Sequence, residues 1–421
     1  MKLLIDDVLK EIRPTEEEKA EVLASAALVL KKINRRLKNA KAIVGGSAAK
    51  GTWLKGLHDI DIFVKFDYNK YKEKSAQLSD ILLKSIEKEF NGIARLHGSR
   101  DYFQVRSGKF TYEIVPILDV KKAGQAKNIT DVSPLHAKWV NKHGKFKDDI
   151  RLTKKFCKAA KVYGAESYIK GFSGYVCEVL TISHGGFFGL VKSAAKWKDR
   201  AVVDAEEFYK GKDVLMEMNK SKTHSPLTVV DPVQSDRNAA AVLSRENFEK
   251  FKLWCIVFLK NPSKRFFVEK SISIEELIRE AGKNELIILD ARLRKGKEDV
   301  IGAKLVKLVE HLRNTLEDKS FRVYGYGWDW DKEKEKKALI YFIVDENALP
   351  KMEKRIGPPL KIKKHAELFR RKYKKTFVEG KRVCAYIKRE FTRAEDLIRK
   401  LLKEKHAREK VKSIKIIDIE H

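Results

Sequence analysis

The run Asp59-Ile60-Asp61-Ile62-Phe63-Val64-Lys65-Phe66 constrains this chain more than any other stretch. Its alternation and its β-branched and aromatic residues read as a strand, in which successive side chains point to opposite faces. Asp59, Asp61 and Phe63 then share one face, and Ile60, Ile62 and Val64 the other. The apolar face needs a core, so the strand belongs in a sheet packed against helices. The opposite face brings two carboxylates together at strand spacing, where they repel each other unless cations lie between them. Paired acids of this kind hold divalent metals in phosphoryl-transfer sites. Taken alone, the pair also fits an exposed sheet face with two solvated acids.

The neighbouring sequence favours the metal reading. Upstream, Gly45-Gly46-Ser47 lies between a short apolar strand (42–44) and a short helix containing Lys50. Glycines let backbone N–H groups approach phosphate oxygens, Ser47 adds a hydroxyl, and Lys50 a cation one turn later. This is not a P-loop, because the order GxxxxGK[ST] is absent. A third acid, Glu113, sits in Thr111-Tyr112-Glu113-Ile114-Val115-Pro116, on the face opposite Tyr112 and Ile114. A phosphate cradle, a paired-carboxylate strand and a third carboxylate on a later strand make a nucleotidyl-transfer constellation. No covalent nucleophile is needed, and the serines and cysteines lack an organised His/Asp partner pattern.

At roughly 100–200 residues per domain, 421 residues make two to four domains. Residues 15–37 read as a helix opened by a Thr15/Glu18 capping box. Residues 59–66 are a strand, 78–86 a helix, and 93–98, 101–106 and 110–117 three short strands. From 146 to 260 the pattern turns mainly helical. Later come a strand in ELIILDAR, a helix in DVIGAKLVKLVEHLRNTLED, and a hairpin whose charged turn is DKEKEKK. A basic helical stretch (393–410) and a late strand (411–419) end the chain. With 90 Lys and Arg against 59 Asp and Glu, the net charge is +31, spread over the chain and interleaved with aromatics. That distribution favours a folded nucleic-acid binder over a membrane anchor or a merely thermophilic surface. No segment has the roughly 18 apolar residues of a membrane span. The acidic start is unlike a signal peptide, and four cysteines without a CxxC pair suit a reducing cytoplasm.

The blocks Gly46-Ser47-Ala48-Ala49-Lys50-Gly51-Thr52-Trp53-Leu54-Lys55-Gly56 and Asp59-Ile60-Asp61 resemble the signature of the DNA polymerase β-type nucleotidyltransferases. More closely, the chain resembles the archaeal (class I) CCA-adding enzymes, the tRNA nucleotidyltransferases. The likeness continues in Ser133-Pro134-Leu135-His136-Ala137-Lys138-Trp139, in 151–166, in Lys170-Gly171-Phe172-Ser173-Gly174-Tyr175-Val176-Cys177-Glu178, and in Val230-Asp231-Pro232-Val233 with Asp236-Arg237-Asn238-Ala239-Ala240. It is specific over about 40–250 and looser beyond 260, where Gly357-Pro358-Pro359 is the best anchor.

The resemblance implies an α+β multidomain fold: a polymerase β-like head with a mixed sheet (1–140), a helical middle domain (141–260), and a mixed α/β body and tail (261–421). It implies that Asp59 and Asp61 bind two Mg²⁺ ions and that Glu113 is the third, catalytic carboxylate. Ser47 and Lys50 would contact the triphosphate, joined by Lys154 and Tyr163 from the second domain. His136 would lie near the sugar and phosphates, and Arg237 would help choose C or A together with the RNA backbone. CTP and ATP would be the nucleotides. The tRNA would be held by shape along its acceptor and TΨC arms, its 3′ end at the carboxylates. The sequence leaves room for a homodimer.

Two departures stand out: Glu113 where Asp is expected, and Lys50 where Arg is usual. Two rivals are a poly(A) polymerase-like enzyme and a non-catalytic RNA binder on the same scaffold. His184-Gly185-Gly186 reads as a helix end rather than a metal site. Trp328-Asp329-Trp330 reads as sheet packing rather than a base-stacking platform.

Overall fold

The computed structural model describes residues 1–56, 58–331 and 337–418 and divides into two compact units, Met1–Lys270 and Ser271–His421. The first unit opens with helices α1 (Lys2–Ile12) and α2 (Glu16–Asn34). The expected capping box starts α2: the Thr15 hydroxyl accepts from the Glu18 N–H at 3.2 Å, and the Glu18 carboxylate from the Thr15 N–H at 3.0 Å. Val22, Ala26, Val29 and Ile33 recur at helical spacing and form its buried stripe.

Next come β1 (Ala40–Val44), α3 (Gly46–Lys50), β2 (Asp59–Phe66), α4 (Leu78–Ile86), β3 (Ala94–Leu96), β4 (Tyr102–Ser107) and β5 (Phe110–Leu118). The strands form one sheet in the order β1-β2-β5-β4-β3. Only the central β2–β5 pair is parallel. Ile60, Ile62, Val64 and Phe66 join Tyr112, Ile114 and the stripes of α2 and α4 in one core. Phe63, Val115 and Ile117 make a smaller cluster on the other face, so the alternation read from the sequence holds on both central strands. The loops flanking this sheet are pinned by a buried ion pair. Arg100 donates to Asp131 at 2.5 Å, and Asp131 also takes the N–H groups of Leu118 and Asn128, each at 2.9 Å.

The rest of the unit holds α5 (Ser133–Lys142), α6 (Lys147–Ala159), α7 (Gly174–Ser183) and α8 (Phe187–Ala194). Strands β6 (Ala201–Asp204), β7 (Leu227–Asp231) and β8 (Gln234–Asn238) and helix α9 (Arg245–Lys260) follow. Phe156 centres the helical core, with ring centroids 5.3 Å from Phe187 and 5.4 Å from Phe258, both edge-on. Val8 and Ile12 of α1 are buried in this core, not in that of the sheet. The region read as mainly helical therefore needs one amendment, the three-stranded sheet β6-β7-β8. In β8, Gln-Ser-Asp-Arg-Asn carries no apolar residue, so its extended form comes from pairing with β7 rather than from propensity.

The second unit contains α10 (Ile274–Ala281), β9 (Glu285–Arg292), α11 (Glu298–Asp318), β10 (Val323–Asp331), β11 (Lys337–Val344) and β12 (Met352–Pro359). After these come α12 (Lys363–Lys372), β13 (Thr376–Glu379), β14 (Arg382–Lys388), α13 (Ala394–Leu401), α14 (Lys405–Lys410) and β15 (Ser413–Ile417). One sheet runs β10-β11-β9-β15, and a second β12-β14-β13, all antiparallel. Leu305, Leu308, Leu312 and Leu316 of α11 pack with Leu397, Ile398 and Leu401 of α13. The basic stretch 393–410 thus buries an apolar face of its own. Trp328 and Trp330 are half-buried against the same core, as sheet packing requires. The turn expected at 331–337 falls mostly on 332–336, and the end of the late strand on 419; these lie outside the described residues.

Among the described residues, no single helix is long and apolar enough to cross a membrane. The apolar pair α7 and α8 is bent by 92° and lies in the helical core. Because Phe156 touches so many rings, Phe156→Ala should lower the unfolding free energy by about 3–5 kcal/mol, measured by denaturant titration.

Candidate active site

In the parallel β2–β5 ladder, Asp61 stands directly beside Glu113, and Asp59 beside Thr111. Neighbours in register share a face, so Asp59, Asp61 and Glu113 all project from the side opposite the main core. Asp59 is exposed at the strand end, while Asp61 and Glu113 are half-buried. Burial pushes the Asp61 carboxyl above its usual range and nearby Asp59 adds to this, against the pull of Lys50. The Tyr102 phenol on the adjoining β4 is pushed up to about 12, first by burial and then by the charges of Glu113 and Asp61. Both acids therefore bear on one small volume.

Two glycines make room for this cluster. A Cβ on Gly46 would lie 1.6 Å from Asp61 Oδ2, and one on Gly45 would lie 2.4 Å from the Phe63 ring. Gly46 also has φ +54°, in the left-handed region. The Gly45 N–H donates to the Asp61 carbonyl at 2.8 Å. Ser47 follows within α3.

Lys50, at the end of α3, reaches across to α7. Its ammonium donates to Glu178 Oε2 at 2.6 Å and lies 5.8 Å from the Tyr175 ring centroid. Lys154 of α6 donates to Glu178 Oε1 at 2.8 Å, to the Thr52 hydroxyl at 3.1 Å and to the Thr52 carbonyl at 3.3 Å. The Thr52 hydroxyl in turn donates to Glu178 Oε1 at 2.7 Å. Burial alone would raise the Glu178 carboxyl, but the Lys154 and Lys50 ammoniums outweigh it and bring it down to about 2. Arg151 fixes the same loop by donating to the carbonyls of Trp53 (3.0 Å) and Gly51 (2.6 Å). Tyr163 lies at the back of this group: a Cβ on Gly174 would come within 2.9 Å of its hydroxyl and 3.8 Å of the Lys154 ammonium.

A second buried carboxylate, Asp231 at the end of β7, gathers His136 and Arg237. His136 Nε2 is 3.0 Å from Asp231 Oδ2, and Arg237 donates to the same oxygen. Tyr175 donates to Oδ1 at 3.1 Å and stacks on His136 with centroids 4.0 Å apart. Burial works against the Asp231 charge, but the hydrogen bond and charge of His136, with Arg237, hold its carboxyl below the usual range.

Tyr175 thus links the groups, bonded to Asp231 and lying beside Lys50. Asp231, Glu178, Tyr175 and Thr52 were not singled out from the sequence as site residues. A signal existed for Glu178: it is the one charged residue in the apolar helix GYVCEVLTIS, and a buried carboxylate requires cations. The four cysteines, distant in sequence, are all buried and free, and the Cys157 and Cys177 sulfurs lie 3.9 Å apart behind Lys154 and Glu178.

Among the described residues, no three His, Cys, Asp or Glu side chains form a closed metal cage. Hard carboxylate donors around an open face suit Mg²⁺ nonetheless, which binds through one or two carboxylates and completes its shell with water and substrate phosphate. A half-buried Asp61 level with Glu113 and beside a glycine cradle fits such an ion.

Three family models cover most of the chain: a nucleotidyltransferase domain over 27–122, the second domain of tRNA nucleotidyltransferase over 148–268, and the C-terminal domain of the CCA-adding enzyme over 284–414. A CCA-adding enzyme from Nanoarchaeum equitans is 36% identical over 83% of this chain and 84% of that protein. The chain belongs to the CCA-adding enzymes. Another, from Methanocaldococcus jannaschii, is 30% identical over 95% of this chain and 90% of its own length. In fold, the enzyme also matches a crystal structure of the Cid1 poly(U) polymerase with Mg and 3′-dATP bound. The TM-score is 0.51 and the identity 16%, over 63% of this chain and 98% of that one. It is an α+β nucleotidyltransferase with a polymerase β-like head, a helical middle and an antiparallel-sheet C-terminal region.

Gly46→Ala should destabilise the enzyme by more than the roughly 1–2 kcal/mol of a left-handed L-residue, and thermal melting would show it. Glu178 contributes stability fully above its ordinary 4.5 and loses it as pH falls towards about 2. Wild type and Glu178→Gln should therefore differ most in unfolding free energy near neutrality, and the gap should shrink through that acid window.

Proposed function

We propose that this enzyme adds C, C and A in turn to the 3′ end of tRNA from CTP and ATP, releasing pyrophosphate each time and using no nucleic-acid template. The observation that carries this reading is the in-register pairing of Asp61 with Glu113 beside Gly45-Gly46 in a member of this family. Asp59, Asp61 and Glu113 would hold two Mg²⁺ ions, which supply activation of the attacking 3′-hydroxyl and stabilisation of the leaving pyrophosphate. Ser47 and Lys50 bind the triphosphate from the head, and Lys154 and Tyr163 support it from the helical side. The glycine cradle lets the nucleotide approach the backbone closely. Glu113 extends one methylene further than Asp, and its half-buried place next to Asp61 keeps it aimed at the same volume.

Asp231 fixes the ring of His136 and the guanidinium of Arg237 at a common oxygen. That orientation presents His136 to the nucleotide's sugar and phosphates. It also holds the remaining Arg237 donors for the base, where C and A must both be accepted and G and U refused. Choice by a preset guanidinium needs no template strand. We assign the chain three functional parts: a catalytic head (1–140), a helical middle domain (141–260) and an α/β body and tail (261–421). The last carries the basic surface for the acceptor and TΨC arms. Such contacts position RNA by its backbone and shape, so binding should weaken steeply with salt. Four buried reduced thiols suit a cytoplasmic setting.

The test is a tRNA transcript ending at the discriminator base, incubated with Mg²⁺ and resolved to single nucleotides. Growth by two residues with CTP alone and by three with both nucleotides is expected, and a long adenosine ladder would instead mark a poly(A) polymerase. Asp61→Ala should reduce addition by about 10³-fold or more while tRNA affinity in a gel-shift assay stays within a factor of about two. Loss of both together would make the acids structural.

A further inference from the structure

Glu178 has no place in the reaction just described, yet it is the group around which the triphosphate side of the pocket is built. Its side chain is fully buried, and the side chains of its partners Lys50 and Lys154 are 11% and 4% exposed. Both carboxylate oxygens are engaged, Oε2 by Lys50 and Oε1 by Lys154 and Thr52. The partners come from both sides of the cleft: Lys50 and Thr52 from α3 and the loop after it, Lys154 and Glu178 from α6 and α7.

We propose that Glu178 is the internal counter-ion of the nucleotide pocket, a positioning residue that occupies the two phosphate-binding lysines when nucleotide is absent and yields them to the incoming triphosphate. This rests on the reading that Lys50 and Lys154 serve the triphosphate.

Two ammoniums facing one pocket repel, and without an anion one of them, Lys154, would be buried with no countercharge. Glu178 supplies that charge. A triphosphate carries several negative charges and offers the same ammoniums many more acceptor oxygens, so it competes directly with the carboxylate. Once the product is pyrophosphate, Glu178 competes for the lysines again and favours release. An enzyme that must bind nucleotide and expel pyrophosphate three times per tRNA gains from a resident competitor, because a pocket with two uncompensated lysines would retain the product.

The charged and titratable groups facing Lys154 are Lys50 from α3, Cys177 and Glu178 from α7, and the Tyr163 hydroxyl across Gly174. Of these, Glu178 alone brings a full negative charge. Burial already pulls the Lys154 ammonium below its usual range, and Glu178 resists that pull. Removing the carboxylate therefore lets burial pull the Lys154 ammonium down further.

The experiment measures CTP·Mg²⁺ and pyrophosphate affinity by calorimetry on the full chain without tRNA, so that no addition occurs. Glu178→Gln should bind both roughly three- to tenfold more tightly at the acid end of a pH series, and its advantage should shrink as pH rises and Lys154 loses its proton. Wild-type affinity should vary less with pH than that of Glu178→Gln, the titration of the ligands being common to both. A purely structural Glu178 would instead give equal or weaker binding with a pH profile parallel to wild type, and that result overturns the proposal. Glu178→Asp keeps the charge but shortens its reach. It should bind slightly more tightly than wild type with the wild-type pH profile, and it decides the question if Glu178→Gln does not fold. Lys50→Gln separates the two layers of argument. If it leaves CTP affinity unchanged, the triphosphate reading fails; if it weakens binding while Glu178→Gln fails to strengthen it, only the counter-ion inference fails.

Discussion

Asp61 is held where burial and the charge of Asp59 both work against its ionisation, with Gly46 pressed so close that a single methyl group there would meet its carboxylate. A protein tolerates such a group when something bound relieves it, and the surroundings are arranged accordingly. β2 and β5 run parallel so that Glu113 comes level with Asp61. The apolar side of the same strands fills the head's core, which anchors the strands that carry the acids. Strand pairing, glycine placement and the position of α3 all follow from keeping negative charge close together at one end of the sheet.

The same economy of charge recurs in the helical part. Each buried carboxylate there is held by basic partners from more than one segment: Glu178 by Lys50 and Lys154, Asp231 by His136 and Arg237. Buried ion pairs contribute little net stability over apolar packing, but they are costly to break and strict about geometry. Here that strictness fixes Lys50, Lys154, His136 and Arg237 in place. Tyr175 bonds to one carboxylate and lies beside the lysine bound to the other, so a single ring joins the two clusters.

Much of this was legible in the sequence, for definite reasons. β2 runs from Asp59 to Phe66 and α4 from Leu78 to Ile86, as read, because strict alternation and a clean apolar stripe leave little choice. The Asp59–Asp61 pair was visible because strand alternation alone puts both acids on one side, while Glu113 joins them only through the parallel pairing of β5 with β2. What escaped was tertiary. β8 has the composition of a loop and is a strand only because β7 pairs with it. Asp231 and Glu178 sit 95 and 128 residues from His136 and Lys50, and no local pattern announces such a partnership. The Cys157–Cys177 approach was hidden in the same way by the turn between α6 and α7.

The placement of α1 has a mechanical consequence. Because Val8 and Ile12 are buried among the rings around Phe156, the chain begins in the helical body, leaves it to build the whole head, and returns through α5 and α6. The Lys55 N–H donates to the Ile12 carbonyl at 2.8 Å, which ties the head's glycine loop to the point of departure. The head is therefore tied to the helical body at both ends of its own stretch of chain, through α1 before it and through α5 and α6 after it, so the two cannot separate without disturbing the packing around Phe156.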